Sequence, residues 1–116
     1  MGYAFKHANR DANQSAIVDA LVRAGCCVVD LASVGDGCPD LLVSRNGSMW
    51  LIEIKNPASV RRRAKRYGEM TDQQIEFLAA WRGPQINMAH DAEEALRVVC
   101  VTEDEVLKAL AQAGGR

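Results

Sequence analysis

Asp40, Glu53 and Lys55 are the residues of this chain whose types and spacing best suit chemistry. They lie in the stretch 37–55, where two apolar-rich runs, 41–43 and 50–54, flank Asn46-Gly47. That dipeptide between alternating runs predicts a type I′ hairpin turn, because both residues tolerate positive φ. A two-residue loop pairs Arg45 with Ser48, Val43 with Trp50 and Asp40 with Glu53. Side chains alternate along a strand, so Asp40, Leu42, Glu53 and Lys55 share one face, while Leu41, Val43, Ile52 and Ile54 share the other. Directly opposed residues have Cβ atoms about 4.5–5.5 Å apart, where like charges are destabilising. A divalent cation offsets that repulsion, and hard carboxylate oxygens suit Mg²⁺. The plainer reading makes Asp40 a strand start and Glu53 with Lys55 a solvated pair on an ordinary polar sheet face. The register, which sets two acids opposite each other, argues against it. A bulge that shifted the register by one would turn one carboxylate away.

Gly37-Cys38-Pro39-Asp40, a gap of twelve residues, then Glu53-Ile54-Lys55 resembles the PD-(D/E)xK signature of the restriction-endonuclease-like superfamily. The G-x-P-D-L form followed by E-I-K is most similar to the virus-type replication-repair nuclease (VRR-NUC) domain, often found as small phage proteins. The bare signature is short, and its placement on a hairpin with the acids in register is what gives it weight. The resemblance runs from about residue 11 to residue 99. It implies an α/β fold with a restriction-endonuclease-like core: an α-β-β-β-α-β mixed sheet flanked by helices, here with extra C-terminal helices. It also implies a metal-dependent nuclease in which Asp40, Glu53 and the Ile54 carbonyl hold Mg²⁺ or Mn²⁺. Lys55 would then orient or deprotonate the attacking water. In that superfamily the first helix often supplies an acid to the metal site, whereas the matching position here is Gln14, with Asn13 beside it. A neutral amide is a weaker ligand, so the resemblance leaves the holding of a second metal open. Family members also direct a glutamine from the second helix at the scissile phosphate, and Gln74 fits that pattern.

The remaining elements follow from periodicity and punctuation. At 116 residues the chain suits one domain with one core. Residues 1–10 show no periodicity and read as an arm; residues 11–116 form the domain. Residues 11–24 predict a helix with Gln14, Ile17, Val18 and Leu21 on one face and Gly25 ending it; Asp11 with Gln14 resembles a capping box. Residues 26–31 predict a short strand, and Pro39, lacking an N–H, suits the start of the next. Thr71 with Gln74 marks a second helix over 71–81, stopped by Gly83-Pro84. A last strand over 85–89 precedes two helices, one opened by Asp91 with Ala92, Ala95, Leu96 and Val99 inward, one opened by Thr102 burying Val106, Leu107 and Leu110. The order implies antiparallel pairing at the hairpin and a crossover through the second helix.

Charge is unevenly placed. The net charge is −1, yet residues 56–70 carry +4 through Arg61, Arg62, Arg63, Lys65 and Arg66 against Glu69. Positive charge directly after Lys55 suits contact with a nucleic-acid backbone, although such runs are also common in solvated loops. No apolar run is long enough to span a membrane, and the polar start, with Lys6, His7 and Arg10, is unlike a signal peptide. The four cysteines, Cys26, Cys27, Cys38 and Cys100, lack C-x-x-C spacing, so zinc spacing is absent and a reduced, cytoplasmic setting is the default. Gln14 and Gln74 each read equally as helix caps. Asp36 reads as a turn residue rather than an acid of the site, His7 and His90 sit in no ligand-spaced cluster, and Trp50, Phe77 and Trp81 read as core or dimer contacts.

The expected function is a structure-selective DNA endonuclease, similar to Holliday junction resolvases and acting on branched DNA as a homodimer. A phage or prophage protein in a bacterial host is the setting that the resemblance implies. The alternatives are a nicking, flap or restriction-like nuclease with the same active site, and a catalytically inactive structure-specific DNA-binding subunit. All three signature residues are present, which argues against the inactive reading.

Overall fold

A computed structural model describes residues 2–4, 12–55 and 70–114. Five strands form one mixed sheet in sequential order: β1 (Tyr3–Ala4), β2 (Cys27–Asp30), β3 (Leu41–Arg45), β4 (Ser48–Ile54) and β5 (Ile86–Ala89). β1 runs parallel to β2, β3 is antiparallel to β2 and to β4, and β5 is parallel to β4. Four helices among the described residues accompany it: α1 (Ala12–Arg23), α2 (Asp72–Ala80), α3 (Ala92–Val99) and α4 (Glu103–Gly114). None of them is long and apolar enough to cross a membrane.

The hairpin forms in the expected register, with Arg45 opposite Ser48, Val43 opposite Trp50 and Leu41 opposite Ile52. Asn46 and Gly47 take φ values of 52° and 85°, the two left-handed residues that a type I′ turn requires. Alternation then divides the sheet. Val28, Leu41, Val43, Ile52 and Ala89 point to one face and are fully buried there against Ile17, Val18 and Leu21 of α1 and Ala95, Leu96 and Val99 of α3. Helices α1, α3 and α4 pack on one another over this face. Arg45, on the same face at the end of β3, bonds the Ala24 carbonyl at 3.0 Å, the Val99 carbonyl at 3.4 Å and Glu105 at 3.1 Å, tying the hairpin to three helix ends.

Two expectations change. Residues 1–10 contribute a two-residue edge strand, too short to leave a period in the sequence, and residues 5–10 lie outside the described part. On α4 the inward stripe is Val106, Ala109, Leu110 and Ala113, and Leu107 is 54% exposed. Positions three and four apart from Val106 share its face, whereas an adjacent position is turned about 100° away.

Helix α2 lies on the other face, and no residue of it is fully buried. Its first turn is fixed by close backbone contact. Gly37 has φ +81°, and a Cβ there would stand 2.2 Å from the Gln73 carbonyl oxygen and 2.9 Å from the Gln74 nitrogen. Only glycine allows this approach, so the glycine before Pro39-Asp40 is what docks α2 onto the sheet. Gly37→Ala is therefore expected to cost about 2 kcal/mol or more in denaturant unfolding, from strain and displacement of α2 together. Gly47→Ala, with nothing within 4 Å, should cost only the strain of its positive φ, about 1 kcal/mol.

Candidate active site

Asp40, Glu53, Lys55 and Gln74 meet at one end of the sheet, where β3 begins, β4 ends and α2 starts. Glu53 retains 9% exposure and Lys55 5%. Burial on the α2 side reflects the strand period: Glu53 pairs with Met88 on β5, and Leu51 with Ile86. A cavity of about 50 Å³, large enough for water, lies against Glu53 and Gln74 and is otherwise walled by Pro39, Phe77, Ile86 and Met88.

Asp40 is not placed quite as alternation predicts. The ladder ends at Leu41 and Ile52, and the Asp40 carboxylate turns to accept the backbone N–H of Ile54 at 2.8 Å. A strand N–H points within the sheet, so this carboxylate sits at the edge of the sheet plane rather than standing off one face. It still lies beside Glu53, close enough for each acid to act on the other.

Gln74 connects the rest. Its Oε1 accepts from the Lys55 ammonium at 2.7 Å and from the Thr71 N–H at 3.1 Å, while its Nε2 donates to Glu53 at 2.5 Å. Thr71 in turn accepts from the Gln74 N–H at 3.2 Å, completing a capping box. The capping reading and the site reading of Gln74 are both realised, by one amide. Lys55 lies 3.6 Å from Glu53, and its backbone N–H bonds the Ala89 carbonyl at 2.9 Å, which anchors it beyond the end of β4.

Gln14 sits on α1, and its Nε2 donates to Asp30 at 2.9 Å; its proposed capping partner, Asp11, lies outside the described residues. Asp30 was hidden in a strand-like run, and its charge acts on Asp40. The only sequence signal for it is a carboxylate closing an apolar strand immediately before the glycine-rich loop. Asp36 is exposed with φ 57°, a turn residue as expected. His90 pairs with Glu94 at 2.8 Å, Trp81 stacks on Phe77 at 5.6 Å, and Trp50 packs against the core. The four cysteines are free. Cys38 lies near the acids, and burial with the charges of Glu53 and Asp40 keeps its thiol protonated beyond the usual range. Arg61, Arg62, Arg63, Lys65 and Arg66, like His7, fall outside the described residues.

The electrostatics favour a cation. Burial, then the charge of Asp40, pushes the Glu53 carboxyl up to about 7, with Lys55 opposing. Burial likewise raises Asp40, against the Ile54 N–H and Lys55. Two partly desolvated acids, both pushed upward, fit a divalent ion, whose charge would offset their burial and repulsion. Among the described residues no group of three or more His, Cys, Asp and Glu is placed to hold a metal.

Compared with known proteins, the chain matches no family model, no curated protein and no solved structure. The geometry of the site therefore carries the functional argument.

A raised carboxyl pKa means that the folded state binds more protons than the unfolded one between the two values. In EDTA, stability should fall as pH rises from 4.5, the ordinary value for Glu53, to about 7. The loss is expected to be on the order of 2 kcal/mol. Mn²⁺ or Mg²⁺ at pH 8 should restore it, and Glu53→Gln should remove both effects. Thermal unfolding across that pH range checks this; a flat profile in EDTA would count against the buried acid pair.

Proposed function

We propose that this chain is a metal-dependent DNA endonuclease with a restriction-endonuclease-like core. The observation that carries the reading is the gathering of Asp40, Glu53, Lys55 and Gln74 at one sheet end, with the acids acting on each other and the lysine buried beside them. The topology supports it: three sequential antiparallel strands, then a crossover containing α2 to a parallel strand, with α1 ahead of them.

Asp40, Glu53 and the Ile54 carbonyl would hold Mg²⁺ or Mn²⁺, which supplies Lewis acidity and lowers the pKa of the attacking water. Lys55, steadied by Gln74, orients that water and offsets negative charge developing on the phosphoryl oxygens. Gln74 keeps the ammonium and Glu53 apart at a set distance while capping the helix that carries it. The water oxygen bonds to phosphorus in line as the bond to the 3′ oxygen breaks. The water loses its proton and the 3′ oxygen gains one, leaving a 5′-phosphate and a 3′-hydroxyl.

For the substrate, the +4 segment 56–70 follows Lys55 directly, and Arg61, Arg62, Arg63, Lys65 and Arg66 would contact phosphates. With no module for reading base edges among the described residues, this domain would select backbone shape, and branched DNA cut by a two-fold homodimer fits that requirement. Met49, Leu78, Trp81 and Met88, exposed by 57%, 40%, 37% and 42%, offer apolar surface that a second copy would cover. A phage or prophage role in a bacterial cytoplasm agrees with this reading.

The test is cleavage of a labelled four-way junction and a matched linear duplex with Mg²⁺, Mn²⁺ or EDTA. Paired cuts confined to the junction, dependent on metal and lost in Asp40→Asn, are expected. Equal cutting of duplex would discard the branch preference, and binding without cleavage would favour the inactive DNA-binding reading. Lys55→Ala should lower turnover by roughly 10²–10⁴-fold while Mn²⁺ binding persists; near-normal turnover would remove Lys55 from the mechanism.

A further inference from the structure

Asp30 lies outside the hairpin, at the end of β2 opposite Leu41. Among the described residues, the Ala32 N–H donates to its Oδ1 at 2.8 Å, and Gln14 Nε2 donates to its Oδ2 at 2.9 Å. The next residue, Leu31, donates its N–H to the Asp40 carbonyl at 2.7 Å, so Asp30 at the end of β2 and Asp40 just ahead of β3 lie one step out of register. Asp30 shares the face of Val28 and Leu41, Glu53 stands on the opposite face, and the Asp40 carboxylate, bonded to the Ile54 N–H, lies between them. Three carboxylates thus cross the end of the sheet in a row. The negative charge of Asp30 acts on Asp40.

We propose that Asp30, oriented by Gln14 from α1, is a positioning residue whose charge sets the divalent-cation affinity of the Asp40–Glu53 pair. The inference rests on the cation-site reading above and adds to it an acid outside the signature. Asp30 acts without coordinating: no third acid, histidine or cysteine among the described residues joins the pair in a metal-holding group. A carboxylate only accepts hydrogen bonds, so the Gln14 amide nitrogen must face Asp30, and this fixes both side chains. A fixed negative charge near the pair does two things of opposite sign. It strengthens attraction for a cation, and it raises the repulsion within the metal-free site. A purely structural role would not produce that combination.

Mn²⁺ titration by calorimetry, with thermal unfolding in EDTA at pH 8, tests it on the wild type, Asp40→Asn and Asp30→Asn. Asp40→Asn should abolish binding. Asp30→Asn should bind Mn²⁺ about tenfold more weakly, with a deficit that shrinks at high salt, while its metal-free melting temperature equals or exceeds that of the wild type. Unchanged affinity in Asp30→Asn, or a loss of affinity accompanied by a lowered melting temperature, would overturn the inference alone. A wild type that binds no Mn²⁺ would overturn the cation site itself, and this inference with it.

Discussion

Two carboxyl groups are held side by side at the end of one hairpin, where burial weighs on both, and much of the surrounding structure answers that constraint. Desolvating one carboxylate is costly, and a second beside it adds repulsion. The chain counters with a buried lysine, a backbone N–H aimed at Asp40, and the N-terminal end of α2, where the partial positive charge of a helix collects. These groups only partly offset burial and repulsion, and a doubly charged cation would complete what they begin.

Much of this was legible in the sequence because it depended on short-range rules. Asn46-Gly47 set the turn, the turn set the register, and the register brought Asp40 and Glu53 to the same end of the hairpin. Thr71 with Gln74 and Asp91 before α3 announced their helix starts through the capping bonds that form. What escaped was set by tertiary packing. Asp30 looked like part of a strand because its role depends on Gln14, sixteen positions away on another element. The edge strand Tyr3–Ala4 is defined only by its partner β2. Leu107 is as apolar as its neighbours, and only the docking angle of α4 decides that Ala109 is buried in its place. The turned carboxylate of Asp40 also lay beyond pattern, since alternation describes strands and Asp40 stands just outside one.

Helix α2 joins stability to the site in an unusual way. With no fully buried residue, it lacks the apolar anchor that holds α1 and α3. It is held instead by the approach of Gly37, by the bonds of Gln74 to Lys55 and Glu53, and by the partly buried Phe77 at the cavity. The glutamine that steadies the lysine is also a fastening of its own helix. Weakening the polar cluster therefore loosens an element, and loosening the element unsettles the cluster.

The hairpin also imposes a counting rule. Asp40 and Glu53 stand at equal distances from a two-residue turn, each the sixth residue along its arm. Lengthening the tip by one residue on each arm leaves the acids face to face, because both shift outward by the same step. One extra residue on a single arm separates them, unless a bulge absorbs it. The spacing between these acids is thus quantised in twos, and a chain of this design could vary the reach of its hairpin freely while the parity of the gap stayed even.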